Sequence, residues 1–192
     1  MNADYMILES DISDEKAVKE IYAAAVERFG KVDILVNNAA ADDENGLDTI
    51  ENITQKVIDD TFAVNVRGSV LMTRELVNHR GDYGRVINLS TDAAQVFAGQ
   101  IAYGSSKAAL EALTRSIALE TAKYGITVNS VAPGPTQTGW IDEEFEKIVV
   151  PLIPMGKLIR PEDIADTILF LASEKAGMLT GQVVKVSGGH AL

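Results

Sequence analysis

The chain contains no cysteine. That absence excludes disulfides and thiol chemistry and removes the commonest soft metal ligands. Positive charge is also scarce: 17 Lys and Arg stand against 28 Asp and Glu, for a formal net charge of −11. A chain this acidic repels phosphate backbones and anionic lipid, so neither nucleic acid nor a membrane is an expected partner. No stretch approaches the roughly 18 apolar residues of a membrane span. The start, Met1-Asn2-Ala3-Asp4-Tyr5, lacks the basic-then-apolar order of a signal peptide, and the cytoplasm is the expected compartment. The only histidines are His79 and His190, with no carboxylate cluster beside them, so no metal site is expected.

What is present is a repeating pattern. The 192 residues are 46% hydrophobic, enough for one domain over 1–192 with a sizeable core. Residues 5–8 read as a short buried strand that runs out toward Asp11. Ser13 is placed to cap a helix over 14–29, whose Val18, Ile21, Tyr22, Ala25, Val26 and Phe29 form one apolar stripe that Gly30 ends. Strands follow at 32–36, 85–89, 126–131 and 182–186. Helices fall at about 58–78, 102–124 and 161–172, the last opened by Pro161. The strands are continuous apolar runs, so both of their faces are expected to be covered. That combination indicates a parallel sheet under helices, an open α/β fold. Ligands of such sheets sit at the carboxyl ends of the strands, here Asp11, Asn37-Asn38, Ser90-Thr91 and Pro133-Gly134.

One of those regions carries a recognisable chemical pair. Tyr103 and Lys107 are four apart on a predicted helix and share a face. A free phenol titrates near ~10, and an ammonium beside it favours the phenolate. Five tyrosines and ten lysines give this spacing by chance in roughly one such chain in four. Context raises its weight. Ser90 ends an apolar strand thirteen residues earlier, where a hydroxyl can hold a substrate oxygen. Asn65 lies inside an apolar helical segment, where a buried amide needs partners.

Several segments, in order, resemble the short-chain dehydrogenase/reductase family, and the 3-oxoacyl-carrier-protein reductases within it. Asn37-Asn38-Ala39-Ala40 resembles its Asn-Asn-Ala-Gly motif, with Ala40 in place of the glycine. Asn65-Val66-Arg67-Gly68 resembles its catalytic asparagine segment. Tyr103-Gly104-Ser105-Ser106-Lys107 matches its Tyr-x-x-x-Lys, and Ala132-Pro133-Gly134 its Pro-Gly turn. The likeness runs from about Tyr5 to Gly189. It implies a Rossmann-like, doubly wound parallel sheet and an oxidoreductase moving hydride between NAD or NADP and an alcohol or carbonyl. In that scheme Tyr103 exchanges the proton, Lys107 holds the ribose hydroxyls, Ser90 orients the substrate and Asn65 anchors a water. Asp11 contacts the adenine, while Asn38 and Ala39 line the cofactor groove. Pro133, Gly134, Thr136 and Thr138 close over the nicotinamide, and residues 139–157, with Trp140, form a substrate lid. Counting back from Tyr103 favours Ser90 as the hydroxyl; aligning strand 85–89 favours Thr91.

One further scarcity bears on this. No glycine precedes Gly30, whereas the family opens with a strand and a glycine-rich loop that cradles the cofactor pyrophosphate. The expectation is an N-terminally truncated fold without the first two strands and their helices, and with weakened cofactor binding. Residues 5–8 would then pair directly with 32–36. The competing function is a catalytically silent oligomeric subunit. Either way the helices at 58–78 and 102–124, which pair between subunits in the family, predict a homodimer or homotetramer.

Overall fold

The computed structural model describes residues 4–41, 48–94 and 96–191. Helix α1 (Glu15–Phe29) is capped by Asp14, whose carboxylate accepts from the Lys16 N–H, one residue later than the spacing predicts. Strand β1 (Ile34–Asn37) follows, then α2 (Gln55–Phe62), a π-helical turn (Ala63–Gly68) and α3 (Ser69–Asn78). Next come β2 (Gly84–Leu89), α4 (Ile101–Thr121) and β3 (Ile126–Pro133). The short α5 (Glu143–Val149), α6 (Pro161–Ala172) and β4 (Val183–Val186) complete the order. Among the described residues no helix is long and apolar enough to cross a membrane.

The four strands form one parallel sheet in the order β1-β2-β3-β4. Every residue of β2 is buried, as the unbroken apolar run requires. Alternate residues of the central strands feed opposite faces. Val86, Ile126 and Val128 pack with Tyr22, Leu76 and Ala118 beneath α1, α3 and α4. Ile87, Leu89 and Val131 pack with Ile164 and Leu171 of α6 and with Val149 and Ile153 from the 139–157 region. The sheet is therefore covered on both sides, as a doubly wound fold demands.

Two expectations change. Residues 5–8 form no strand and do not pair with β1; Tyr5 and Ile7 are 76% and 83% exposed. Four residues at a sheet edge gain only a few ladder hydrogen bonds, each worth about 1 kcal/mol net, against a comparable backbone entropy cost per residue. The helix expected over 58–78 starts earlier and is interrupted by the π turn, which contains Asn65.

A polar chain ties the first face together. The Asn37 amide donates to Asn88 Oδ1 (2.8 Å), and the Asn88 amide donates to Thr114 Oγ1 on α4 (2.9 Å). All three are buried. Removing the middle member takes one hydrogen bond from each neighbour, while Asn37 keeps longer contacts to Thr73 Oγ1 and the Ser69 carbonyl and Thr114 still donates to the Leu110 carbonyl. Asn88→Ala is expected to lower unfolding free energy by about 1–3 kcal/mol in urea titrations, the cost of about two net hydrogen bonds. A change below about 0.5 kcal/mol would show that the chain carries no stability.

Candidate active site

The sheet's carboxyl end opens into a cavity of about 520 Å³. Its walls come from the turn after β1 (Ala40, Ala41), the end of β2 (Ser90 to Ala93), the start of α4 (Tyr103) and the segment after β3 (Pro133 to Thr136). The site expected from strand order is thus a real concavity.

Helix α4 brings three side chains to the end of β2. Lys107 is 2% exposed, and its Nζ donates to the Leu89 carbonyl at 2.7 Å. The same ammonium lies 5.5 Å from the centroid of the Tyr103 ring. Burial pushes the lysine down to about 8, which leaves it cationic at neutral pH. One turn further on, Glu111 accepts from Ser90 Oγ at 2.7 Å, and both are buried. Ser90 lines the cavity, but its hydroxyl hydrogen is given to that carboxylate. The adjacent Thr91 also lines the cavity, and its hydroxyl makes no hydrogen bond among the described residues.

Asn65 is fully buried and saturated. Its amide exchanges two hydrogen bonds with the Ala41 backbone (2.7 and 2.9 Å) and donates to Ser106 Oγ at 2.9 Å. The π turn therefore joins the loop after β1 to α4 directly beneath the tyrosine. Ala40 sits comfortably in the motif position usually held by glycine, because its φ is not positive; among the described residues no non-glycine has positive φ.

Tyr103 and Lys107, with Ser90, Thr91, Pro133, Gly134, Thr136 and Thr138, surround or border this one cavity. Asp11, Asn38 and Ala39 stand outside it and are exposed. The Asp11 carboxyl lies below its usual range because the Ser13 backbone N–H donates to it at 2.8 Å. Arg67 donates to the Ser13 carbonyl and so holds this turn against the π helix. Residues 139–157 hold α5, anchored by buried Val149 and Ile153, and Trp140 stands at the cavity rim packed on Phe145.

Sequence reasoning missed five contributors. Glu111 fixes Ser90. Asp48 is buried and accepts from the Ala102 N–H at 2.6 Å, capping α4 from a distant loop. Gly104 lets Phe97 lie on the helix, since a Cβ there would fall 2.5 Å from Phe97 Cβ. Asp92 and His190 also meet at the cavity wall. Of these, only Glu111 had a readable signal, as the residue one turn after Lys107.

A parallel α/β sheet with a tyrosine and a buried lysine at its carboxyl end is the arrangement that the resemblance to nicotinamide-dependent oxidoreductases implies. The comparisons agree. The family model described as enoyl-(acyl carrier protein) reductase matches residues 1–191. A subunit of (2S)-[(R)-hydroxy(phenyl)methyl]succinyl-CoA dehydrogenase from Thauera aromatica is 39% identical over 95% of this chain and 75% of its own length. The 3-oxoacyl-[acyl-carrier-protein] reductase of Staphylococcus aureus is 34% identical over 97% of this chain and 77% of its own. A 3-ketoacyl-(acyl-carrier-protein) reductase from Brucella melitensis, solved with NADH, superposes with a TM-score of 0.88 at 33% identity, covering 95% of this chain and 77% of that one. The chain belongs to the short-chain dehydrogenase/reductase family of NAD(P)-dependent oxidoreductases, and it spans about three quarters of the length of these relatives.

The buried lysine generates a prediction. Its charged form is disfavoured by folding, so the unfolded chain binds more protons between pH 8 and 10.5. The lysine's penalty is complete below pH 8 and is relieved as pH rises toward 10.5. Lys107→Met is expected to raise unfolding free energy at pH 7 by on the order of 1–3 kcal/mol, with the gain shrinking above pH 8. Equal stabilities of the two proteins across pH 7–10 in denaturant titrations would refute this.

Proposed function

We propose that this chain catalyses hydride transfer between NAD or NADP and an alcohol or carbonyl substrate, with Tyr103 as proton donor and acceptor. The observation that carries the reading is the buried Lys107 cation, held on Leu89 and set against Tyr103 at the wall of the cavity. An ammonium has three donors, and among the described residues only one of them has a partner. Two spare donors on a lysine this deeply buried fit the neighbouring hydroxyls of a ribose.

When bound, the nicotinamide supplies or accepts the hydride. Tyr103 gives its phenolic proton to the substrate oxygen in reduction and takes it back in oxidation. Lys107 favours the phenolate by its charge and holds the ribose. Of the two hydroxyls, Thr91 is the one we assign to the substrate oxygen, because Ser90 is committed to Glu111. Asn65 acts by joining the loop after β1 to α4, and so keeps Ala41 and Tyr103 in register across the cavity. Pro133, Gly134, Thr136 and Thr138 would hold the nicotinamide end, Asn38, Ala39 and Asp11, exposed outside the cavity, would contact the adenosine half, and residues 139–157 would cover the substrate.

NADH or NADPH oxidation with a ketone series is the direct test. Tyr103→Phe is expected to lower kcat/KM at least about 1000-fold, at the upper end of what a positioned proton donor supplies. Thr91→Val is expected to cost about 100-fold and Ser90→Ala less than about tenfold. A fully active phenylalanine variant would sink the mechanism. Equal losses at positions 90 and 91 would sink the choice of hydroxyl.

Self-association is part of the same proposal, since the family is typically oligomeric. The outer faces of α2–α3 and α4 carry exposed Ile58 (40%) and Leu119 (84%). Light scattering at micromolar concentration is expected to report a dimer or tetramer, and a monomer would contradict it.

A further inference from the structure

Two aromatic rings on the cavity wall, Phe97 and Trp140, are not used by the steps above. Phe97 is held in place by its own backbone. Phe97 to Gln100 form a β-turn, closed by the Gln100 N–H donating to the Phe97 carbonyl at 3.3 Å. Gly99, third in that turn, has a φ of 86°, the positive value that the third position of a type II turn requires. The turn lays Phe97 back on the first turn of α4. The missing Cβ of Gly104 leaves a seat there: a Cβ would fall 2.5 Å from Phe97 Cβ and 3.4 Å from its Cγ.

From that seat the ring meets the reactive residue. The Phe97 and Tyr103 centroids are 5.8 Å apart with their planes at 63°, an edge-to-face pair in the favourable range. Phe97 is half-buried, and it lines the same cavity as Tyr103. Trp140 lines the cavity rim, 61% exposed, with its ring 5.5 Å from that of Phe145. A substrate oxygen on the Tyr103 hydroxyl thus brings the substituent of its carbon to a π surface that a turn and a glycine already fix, so little ordering cost opposes the contact.

We propose that Phe97 is a specificity-determining residue that selects an aryl substituent on the reacting carbon of the substrate, with Trp140 as the second ring of that wall and Gly99 and Gly104 as positioning residues. The proposal rests on the hydride-transfer reading of this cavity. An aromatic pair gains beyond the area it buries, whereas a saturated ring of similar size gains the area alone. The cavity, about 520 Å³, is within the size range of small-molecule sites.

The composition makes a direct test available. Trp140 is the only tryptophan, so emission excited at the red edge, where tyrosine is silent, reports the cavity rim alone. The probes are 1-phenylethanol and 1-cyclohexylethanol, which differ only in the ring. Each is titrated into the full chain, alone and with NADH, against which an alcohol is unreactive. The Kd for the phenyl alcohol, relative to the cyclohexyl one, is expected to rise about fivefold in Phe97→Leu and to return in Phe97→Tyr, which restores the ring. Gly104→Ala keeps the phenylalanine but pushes it off its seat, and is expected to shift the relative Kd in the same direction. A relative Kd left unchanged by all three variants reduces Phe97 to a space-filling contact and overturns the proposal. Saturable binding of neither alcohol overturns it as well.

Kinetics give the second readout. The ratio of kcat/KM for acetophenone over cyclohexyl methyl ketone is expected to fall about fivefold in Phe97→Leu and to recover in Phe97→Tyr. A Phe97-dependent preference in binding without any nicotinamide-dependent turnover removes the hydride-transfer reading and leaves the aryl site standing. Turnover that is lost in Tyr103→Phe, with a ratio that Phe97→Leu leaves unchanged, overturns the aryl site and leaves the hydride-transfer reading standing.

Discussion

The hydrogen bond from Lys107 to the Leu89 carbonyl is the constraint on which the site depends. An ammonium this deeply buried persists only if it is hydrogen-bonded, and the acceptor is the last residue of β2. That bond, with those from Asn88 to Thr114 and from Ser90 to Glu111, holds α4 in its rotation and height over the sheet. Tyr103 and Glu111 stand one turn to either side on the same stripe. The tyrosine then faces the cavity, and the glutamate reaches Ser90 Oγ. Three side chains of one helix thus address successive points along one strand end. Thr91 becomes the available hydroxyl as a consequence of what its neighbour is already bonded to.

The two faces of the sheet divide the work. One face carries the polar chain Asn37–Asn88–Thr114, which ties two strands to the helix that holds Tyr103 and Lys107. The other is apolar and anchors α6 and the segment over the cavity through Val149 and Ile153. Side-chain alternation along β2 makes this possible. Asn88 looks toward α4, while Ile87 and Leu89 look toward α6, so a rigid polar support and an apolar seat share one strand.

Much of this was legible in the sequence. The β2, β3, α4 and α6 segments were readable because unbroken apolar runs and Gly or Pro punctuation state them locally. The Tyr103–Lys107 pair was readable because i, i+4 spacing on a helix is a local rule. Non-local features were not. Residues 5–8 have a strand's composition, but composition does not supply a neighbour to pair with. The choice between Ser90 and Thr91 turns on Glu111, 21 residues beyond Ser90 in the chain, and Asp92 finds His190 only across the closed sheet. Asn65 was readable as an anomaly within a helix. The π turn that makes room for it has no compositional signature.

That turn also sets a limit on how this region can change. Each residue of an α-helix advances the chain by about 100° around its axis. The π turn at Ala63–Gly68 absorbs one residue beyond the α-helical count, and it does so at the point where the asparagine amide clasps Ala41 and Ser106. Deleting one residue here would restore a regular helix with its flanks in the same phase, but it would remove the bulge from which the asparagine amide reaches Ala41 and Ser106. Substitutions can accumulate on the flanks of this segment, whereas its length cannot drift by even one residue without unthreading the asparagine. The segment behaves as a clasp of fixed length between the two halves of the long helix.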